Sequence, residues 1–312
     1  MKLDKRLLTA AILLPVTIFL LGAALFTGLP AGAAGNIPIV PELQAETCVN
    51  IPIEVTLEGT DADSDIVLYQ LTEEPKLGTA RIEGTTLYYT PGAKAGKDHF
   101  GYTAVDAEGN TAKTGTITIV VNKNRANLTY ADMDGNPAHY AALCLSEQGI
   151  MTGERIGDCY FFRPTQTVTR SEFIAMAAAL ADLPIEPTEQ TDFADDEGLS
   201  SWAKPYISTA AASGLVSGYP TNAGLSEIRG QNPITLAEAS VVIGNLLGQS
   251  MNGLQYTLSA PSNDMDWAQQ AISTLDRLDV ISPLTALRSE SEPITRQDAC
   301  EMLYRSMQLL DA

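Results

Sequence analysis

VTRSEFIAMAAAL, residues 168–180, is the stretch that decides the fold of the C-terminal half. Thr169 can cap a helix start, and Glu172 can return a hydrogen bond to the cap, which is the capping-box arrangement. Apolar residues then recur at helical spacing and predict one buried helix face. The residues of that face are Phe173, Met176, Ala177 and Leu180. Arg170 is left unexplained, because a cation in the first turn faces the positive end of the helix dipole.

The same pattern occurs twice more along the chain. ITLAEASVVIGNLL begins at residue 234 and ITRQDACEMLYRSM at residue 294, so that Thr235 and Thr295 take the place of Thr169. A helical-looking segment and a turn, GIMTG, GLVSG or DVISP, precede each capped helix. Each unit therefore predicts a helix, a turn, a loop and a capped second helix, and the recurrence indicates a repeat architecture. The predicted units are residues 128–187, 188–250 and 255–312.

Residues 36–124 have a different pattern, typical of strands. TGTITIVV alternates in polarity and places Ile117, Ile119 and Val121 on one face. Turn signals such as PKLG, TPGAKAG and DAEGN separate the strand-like segments. Several short strands at this spacing predict a β-sandwich. The chain is thus expected to be multidomain, with an all-β sandwich followed by helical units.

The N-terminus indicates export. Lys2, Lys5 and Arg6 precede a long apolar run, and an A-x-A-like cleavage signal at Ala31 and Ala33 follows it. Residues 1–33 are therefore predicted to be a cleaved signal peptide or, since the run is long enough to cross a bilayer, a retained single-pass anchor. Both alternatives place the rest of the chain outside the cytoplasm.

Composition excludes several function classes. The formal net charge of −19 argues against nucleic acid as a partner, since binding it needs a basic face. It also disfavours an anionic membrane surface, so membrane contact is expected only through the N-terminal segment if that is uncleaved. The sequence lacks H-E-x-x-H, G-x-S-x-G and C-x-x-C motifs and has only 2 histidines, which predicts a protein that is not an enzyme. The four cysteines leave open a Cys144–Cys159 bridge or four free thiols.

Residues 36–124 resemble the bacterial immunoglobulin-like and cadherin-like modules of surface proteins. The resemblance rests on EGTDADSD, PKLGT, YYTP, the G-x-D-x-F-x-Y pattern from residue 96 and V-D-x-x-G from residue 105. Some of these modules bind calcium through an acidic loop, and Asp61, Asp63 and Asp65 offer the hard oxygen ligands that calcium prefers. The alternative is a solvated acidic turn, and no other cofactor is expected.

The three helical units resemble S-layer homology domains. The matching features are YAD and FAD in the first two units, Trp-Ala at residues 202 and 267, the GIMTG and GLVSG turns, and VTRSE, ITLAE and ITRQD. The resemblance implies an all-α bundle with pseudo-threefold symmetry. It also implies grooves between repeats that bind a secondary cell-wall polysaccharide or peptidoglycan.

The resemblance also supplies candidate glycan-binding residues. They are Asp132, Arg170, Asp195, Trp202, Trp267 and Arg296. A guanidinium can grip a carboxylate such as a pyruvyl ketal with two hydrogen bonds, a tryptophan can stack on a sugar, and an aspartate can accept from hydroxyls or orient the arginine.

There are two structural alternatives: each arginine pairs with a nearby acid, and each tryptophan is a core residue. If Arg170 serves a ligand, its loss should barely change stability. Leu236 departs from the pattern, since it replaces the arginine of the second unit.

These features together predict an exported cell-surface protein held non-covalently to the cell wall by its repeats. One alternative is a structural surface-layer or adhesion component whose Ig-like domain binds a protein partner. Another is a surface protein held by a single membrane-spanning segment.

Overall fold

The computed structural model describes residues 37–62, 65–222, 224–250, 267–283 and 285–310, apart from the side chains at positions 250 and 267. The predicted signal or anchor at residues 1–33 and the candidate ligand Asp63 lie outside the described residues. Within these ranges, no helix has the length and apolar character needed to cross a membrane.

Seven strands build the N-terminal part as two facing sheets. They are β1 (Leu43–Cys48), β2 (Ile53–Thr56), β3 (Ile66–Leu71), β4 (Gly78–Glu83), β5 (Thr86–Pro91), β6 (Gly96–Asp106) and β7 (Gly115–Asn122). One sheet has the order β1-β7-β6-β3 and the other the order β2-β5-β4. Strand β1 runs parallel to β7, whereas the other pairs are antiparallel.

The two sheets enclose an apolar core of their own. Ile117, Ile119 and Val121 are buried, which confirms the face predicted from their alternation. Tyr89 and Phe100 stack with ring centroids 5.9 Å apart, and Tyr102, like both of them, is fully buried. The described residues from 37 to 122 therefore form the β-rich, Ig-like region that the sequence predicts.

Three helix pairs follow the sandwich. They are α1 (His139–Glu147) with α2 (Arg170–Leu180), α3 (Lys204–Ala212) with α4 (Leu236–Ser250), and α5 (Trp267–Arg277) with α6 (Arg296–Leu310). The second helices α2, α4 and α6 contact one another, while α3 packs on α2, α5 on α4 and α1 on α6. Each first helix thus packs on the second helix of the preceding pair, and α1 on α6 closes the circle.

The loops inside the pairs are partly strands and not purely irregular. A hairpin of β8 (Glu154–Ile156) and β9 (Cys159–Phe161) lies in the first, and a shorter one of β10 (Tyr219–Pro220) and β11 (Ser226–Glu227) in the second. The third loop contains a short 3-10 helix at Thr285–Leu287. The expected all-α body is therefore mainly helical but carries small β-elements, because an extended loop satisfies its backbone groups by pairing with itself.

The predicted turns and caps occur in all three pairs. Gly149 and Gly214 follow the first helices with positive φ angles of 70° and 77°, a conformation that costs glycine little. Asp279 takes the third of these positions with a φ of 57°. Reciprocal hydrogen bonds join Thr169 to Glu172, and the same capping box recurs at Thr235 and Thr295.

A closed ring of backbone hydrogen bonds joins the segments that precede the capped helices. The N–H of Val168 donates to the carbonyl of Ile294, that of Ile294 to Ile234, and that of Ile234 back to Val168. All three residues are buried. Since each segment bonds both others, the ring ties the three pairs into one body. Its apolar core also takes in Cys48 and Ile51 from the sandwich.

Candidate functional site

Two aspartates from the predicted site brace equivalent loops. The carboxylate of Asp132 accepts from the backbone N–H groups of Phe162 and Arg163 at 2.8 and 2.7 Å. Asp195 does the same for Ile228 and Arg229 at 2.9 and 2.7 Å. The structure thus gives Asp132 and Asp195 a positioning role, since both oxygens of each are engaged by the loop that follows.

Arg170 reaches across to the second helix pair. It is 6% exposed, and its Nε donates to the carbonyl of Ile228 at 2.8 Å. Its guanidinium lies 3.3 Å from the carboxylate of Glu238 and 4.9 Å from the ring centre of Tyr219. Burial lowers the pKa of Arg170, and the charge of Glu238 opposes this shift. The residue is thus held by the neighbouring pair, not by its own helix.

Arg296 makes the equivalent contact between the third and first pairs. Its Nε donates to the carbonyl of Phe162 at 2.7 Å and its terminal nitrogen to that of Thr152 at 2.8 Å. The guanidinium lies 4.8 Å from the ring centre of Phe162. Arg296 is half-buried, and burial lowers its pKa.

These contacts explain why an arginine occupies the first turn of α2 and of α6. The arginine ties its helix to the loop of the next pair, and the gain outweighs a dipole cost of about 0.3–1 kcal/mol. The expectation that Arg170 hardly affects stability is therefore corrected, because its removal takes the cation from Glu238 and the hydrogen-bond donor from the carbonyl of Ile228. Leu236 is 2% exposed and packs into the core, while its N–H still donates to the carbonyl of Glu292.

Of the two tryptophans in the predicted site, Trp202 has a side chain within the described residues. Trp202 is 50% exposed and touches Tyr206 edge-on with ring centroids 6.4 Å apart. It is therefore a surface residue, which removes the core alternative at this position. Trp267 begins α5, and its side chain lies outside the described residues.

A shallow groove lies beside the loop that Asp195 braces. Its cavity volume is about 310 Å³. The lining residues are Asp195, Gly198, Leu199, Glu227, Arg229, Gly230, Gln231 and Asn232. Gln231 donates to the hydroxyl of Ser200 at 3.0 Å, two residues before Trp202. The groove thus combines a guanidinium and two amides with the carboxylates of Asp195 and Glu227, and the exposed Trp202 lies two residues along the chain from Ser200.

Arg163 and Arg229 are candidate binding residues that the sequence analysis did not name. Both have positive φ angles, of 60° and 55°, and side chains about half exposed. Arg163 pairs with Glu154 at 2.6 Å, and Arg229 pairs with Glu227 at 3.2 Å and lies 4.4 Å from the ring centre of Tyr219. The signal was available, since each arginine stands six residues before its capping threonine.

An acidic cluster in the sandwich joins two of the predicted aspartates to Asp106, which the sequence analysis did not name. The carboxylates of Asp61 and Asp65 lie within 4.8 Å of that of Asp106. Burial disfavours the charged form of Asp106, but hydrogen bonds from Asn110 outweigh it and lower the pKa of Asp106. A hydrogen bond with Asp65 and the charge of that residue raise the pKa of Glu108. Three oxygen donors this close suit a hard cation such as calcium.

Comparison with known families identifies two domains in the chain. Residues 36–120 match the bacterial Ig domain. Residues 192–240, which contain the groove beside Arg229, match the S-layer homology domain. The chain therefore contains a bacterial Ig domain and an S-layer homology domain.

Individual relatives match only parts of this chain. An S-layer protein of Bacillus thuringiensis subsp. finitimus is 25% identical over 163 residues, which is 52% of this chain and 19% of that protein. An amylopullulanase of Thermoanaerobacterium thermosulfurigenes is 33% identical over 100 residues, or 31% of this chain and 5% of that protein. The chain thus spans a fifth or less of these two relatives.

Among solved structures, an endo-fucoidan hydrolase of glycoside hydrolase family 107 matches 30% of this chain and 14% of that one. The TM-score is 0.25 and the identity 21%. A likeness this low carries no argument about the fold or the function.

Proposed function

We propose that this chain is an exported, non-enzymatic bacterial surface protein whose helical part holds it to a cell-wall polymer. The observation that carries the proposal is the groove beside Arg229, which lies inside the matched S-layer homology domain. A planar cation, amide donors and an exposed aromatic ring are the groups that recognise an acidic sugar. The similarity to an S-layer protein agrees with attachment at the cell surface.

We further propose that all three helix pairs are S-layer homology repeats related by pseudo-threefold symmetry. Support comes from the hydrogen-bonded ring through Val168, Ile234 and Ile294 and from the three capping boxes. Equivalent aspartate braces in the first two pairs add to it. The arginine contact joins the first pair to the second and the third to the first, whereas Leu236 replaces it between the second and third.

In this proposal, the arginines at the helix starts and the exposed side chains near them have separate roles. Arg170 and Arg296 position the loops, and their accessible neighbours contact the polymer. In the second repeat these neighbours are Arg229 and Trp202, whose side chains are 47% and 50% exposed. The first repeat offers Arg163 at the equivalent position but has Pro137 where the second has a tryptophan. The groove beside Arg229 should therefore bind more tightly than the surface around Arg163.

Sedimentation with purified cell-wall sacculi tests the proposal. Wild-type protein should pellet with sacculi and release no soluble fragments. Arg229→Gln should weaken binding by about 1.5–3 kcal/mol, the usual contribution of a hydrogen bond to a charged group. Trp202→Ala should weaken it as well, while both variants keep the wild-type melting temperature within a few degrees.

A matched control is Arg81→Gln, because Arg81 is a similarly exposed arginine of the sandwich that pairs with Glu83. It should bind as wild type does. Equal binding by wild type, Arg229→Gln and Trp202→Ala would show that the groove is not the site. Failure of the wild-type protein to pellet would overturn attachment altogether.

A further inference from the structure

A second cleft lies at the junction between the sandwich and the first helix pair. Its cavity volume is about 550 Å³, within the range of roughly 300–1,000 Å³ usual for ligand sites. The walls are the ends of β6 and β7, the segment that follows β7, and helix α1. Tyr140 fixes this junction from the helical side, because its hydroxyl accepts from Asn122 at 2.8 Å.

Charge distinguishes this cleft from the rest of the molecule. Lys97, Lys123 and Arg125 line it, and Glu147 is the only carboxylate among its lining residues. The chain as a whole carries twice as many Asp and Glu residues as Lys and Arg, 38 against 19. An excess of cations in this cleft is therefore unexpected from the composition of the chain. It indicates a binding site more strongly than an acidic patch would.

The cations of this cleft are also available to a ligand. Lys97 and Lys123 are exposed and make no ion pair in the part of the chain that the structure describes. Arg125 is 77% exposed and lies 3.9 Å from Glu147, the outer limit of an ion pair. By contrast, Arg163 and Arg305 are held at 2.6 and 2.9 Å by their carboxylates.

The register of the sheet explains how two lysines from distant positions meet. Lys97 pairs with Val120 across β6 and β7, three residues before Lys123. Both stand at the end of the sandwich that faces α1, and β7 leads directly into the segment that carries Arg125. The ring of Tyr140 and the amides of Asn122 and Asn124 complete a polar wall of the cleft. Within the protein, Asn122 donates to Tyr140 and to the carboxylate of Glu46, and Asn124 donates to the carbonyl of Leu128, so the wall offers the ring and the remaining amide oxygens to a sugar.

We propose that this junction cleft binds an anionic group, a carboxylate or a phosphate, carried by a glycan. The inference deepens the proposed attachment to a wall polymer by adding a site outside the S-layer homology grooves. Lys97 and Lys123 neutralise the anion, and the polar wall around Tyr140 holds the sugar that carries it. An acidic protein needs such a local excess of cations, because its net charge repels an anionic polymer once the polymer comes within about 10 Å, where salt no longer screens the charges.

Affinity electrophoresis of the full chain in gels that contain a defined polymer tests the inference. The probes are polygalacturonate, which bears carboxylates, poly(glycerol phosphate), which bears phosphates, and dextran as a neutral control. Lys97→Gln and Lys123→Gln should each weaken binding of an anionic probe about threefold, and the double variant about tenfold, as expected for exposed charge pairs. The two anionic probes identify which chemistry the cleft prefers.

A control with the same change in charge is Arg81→Gln with Lys113→Gln. Both residues are exposed on the sandwich, and neither lines the cleft. This double variant should bind as wild type does. If the two double variants weakened binding of the anionic probes equally, the loss would be due to the change in net charge alone, and the proposal would be overturned.

The outcome is separable from that of the wall-binding proposal. If Lys97→Gln/Lys123→Gln binds both anionic probes as tightly as wild type, the junction site is refuted even where sacculi binding through Arg229 holds. If wild type binds dextran as well as the anionic polymers, recognition of the anion is refuted. If Arg229→Gln loses sacculi but keeps the anionic probes, two distinct sites are supported.

Discussion

The sandwich and the helical body complete their cores in different ways. The buried core of the sandwich is supplied by its own strands and turns, from Ile53 through Val121. The core of the helical body runs through all three helix pairs and also takes in Cys48 and Ile51 from the sandwich. A sheet pair thus buries its apolar faces locally, whereas a helix pair depends on its neighbours. Domain boundaries read from repeats therefore mark units of pattern and not units of folding.

Separated fragments provide the strongest test of that contrast. Residues 36–124 alone should give a cooperative thermal unfolding transition by circular dichroism, because their core is self-contained. Residues 188–250 alone should give none, since removing the other pairs exposes the buried faces of α3 and α4. A cooperative transition from the 188–250 fragment would contradict the dependence on neighbours.

The next largest effect is expected at the contact between the first and second pairs. Arg170→Gln should lower the free energy of unfolding by about 3 kcal/mol, because it removes the cation from the half-buried Glu238 and the donor from the carbonyl of Ile228. Urea denaturation followed by circular dichroism measures the change. The additional change Glu238→Gln should recover part of the loss, and that recovery measures the coupling between the two side chains.

Thr169→Ala is the control for that experiment, because it alters the same helix start without touching the neighbouring pair. It should cost only about 1 kcal/mol through the lost cap. If Thr169→Ala and Arg170→Gln lowered the free energy of unfolding equally, the contact of Arg170 with the second pair would contribute no additional stability.

Calcium should sharpen the contrast by acting on the sandwich alone. If Asp61, Asp65 and Asp106 hold the ion, calcium at a hundredfold excess over its dissociation constant should add about 2.7 kcal/mol to the stability of this domain. Scanning calorimetry of the full chain measures the shift. Asp106→Asn should abolish it, and an unchanged transition in calcium would show that the cluster is a solvated acidic turn.

The smallest effect on stability is expected at Glu301, a buried carboxylate of the helical body that contrasts with Asp98 of the sandwich. Asp98 of the sandwich accepts from the N–H groups of Lys76 and Leu77 and from the hydroxyl of Tyr89, all within 2.9 Å. Glu301 of the helical body has one oxygen with no hydrogen-bond partner. Burial raises the pKa of Glu301, with smaller opposing contributions from Ser282 and Arg305.

The sign of its pH dependence follows from that shift. In the folded state the charged form of Glu301 is disfavoured, so the cost appears as the pH rises above the unfolded pKa of about 4.5 and is complete above the raised folded pKa. Glu301→Gln should therefore stabilise the protein by about 1 kcal/mol at neutral pH and have no effect near pH 4. Thermal melts at the two pH values measure this, and a loss of stability at neutral pH would contradict it.

Local patterns were predictable from the sequence, whereas contacts between units were not. The caps at Thr169, Thr235 and Thr295 depend on residues three positions apart, and a single sequence shows them. One partner of Arg170 is the carbonyl of Ile228, 58 residues away, and no local pattern encodes this contact. Asp106 joins Asp61 and Asp65 only because strand pairing brings the segments together.

The closed ring through Val168, Ile234 and Ile294 has a mechanical consequence. In the attachment proposed above, tension between the cell wall and the sandwich would enter the helical body through the segment that follows β7. The first pair is bonded on one side to the second and on the other to the third, where Arg296 clasps Thr152 and Phe162. Pulling the first pair out must therefore break two sets of backbone hydrogen bonds at once. In an open array, the end unit would instead lose its hydrogen bonds one at a time.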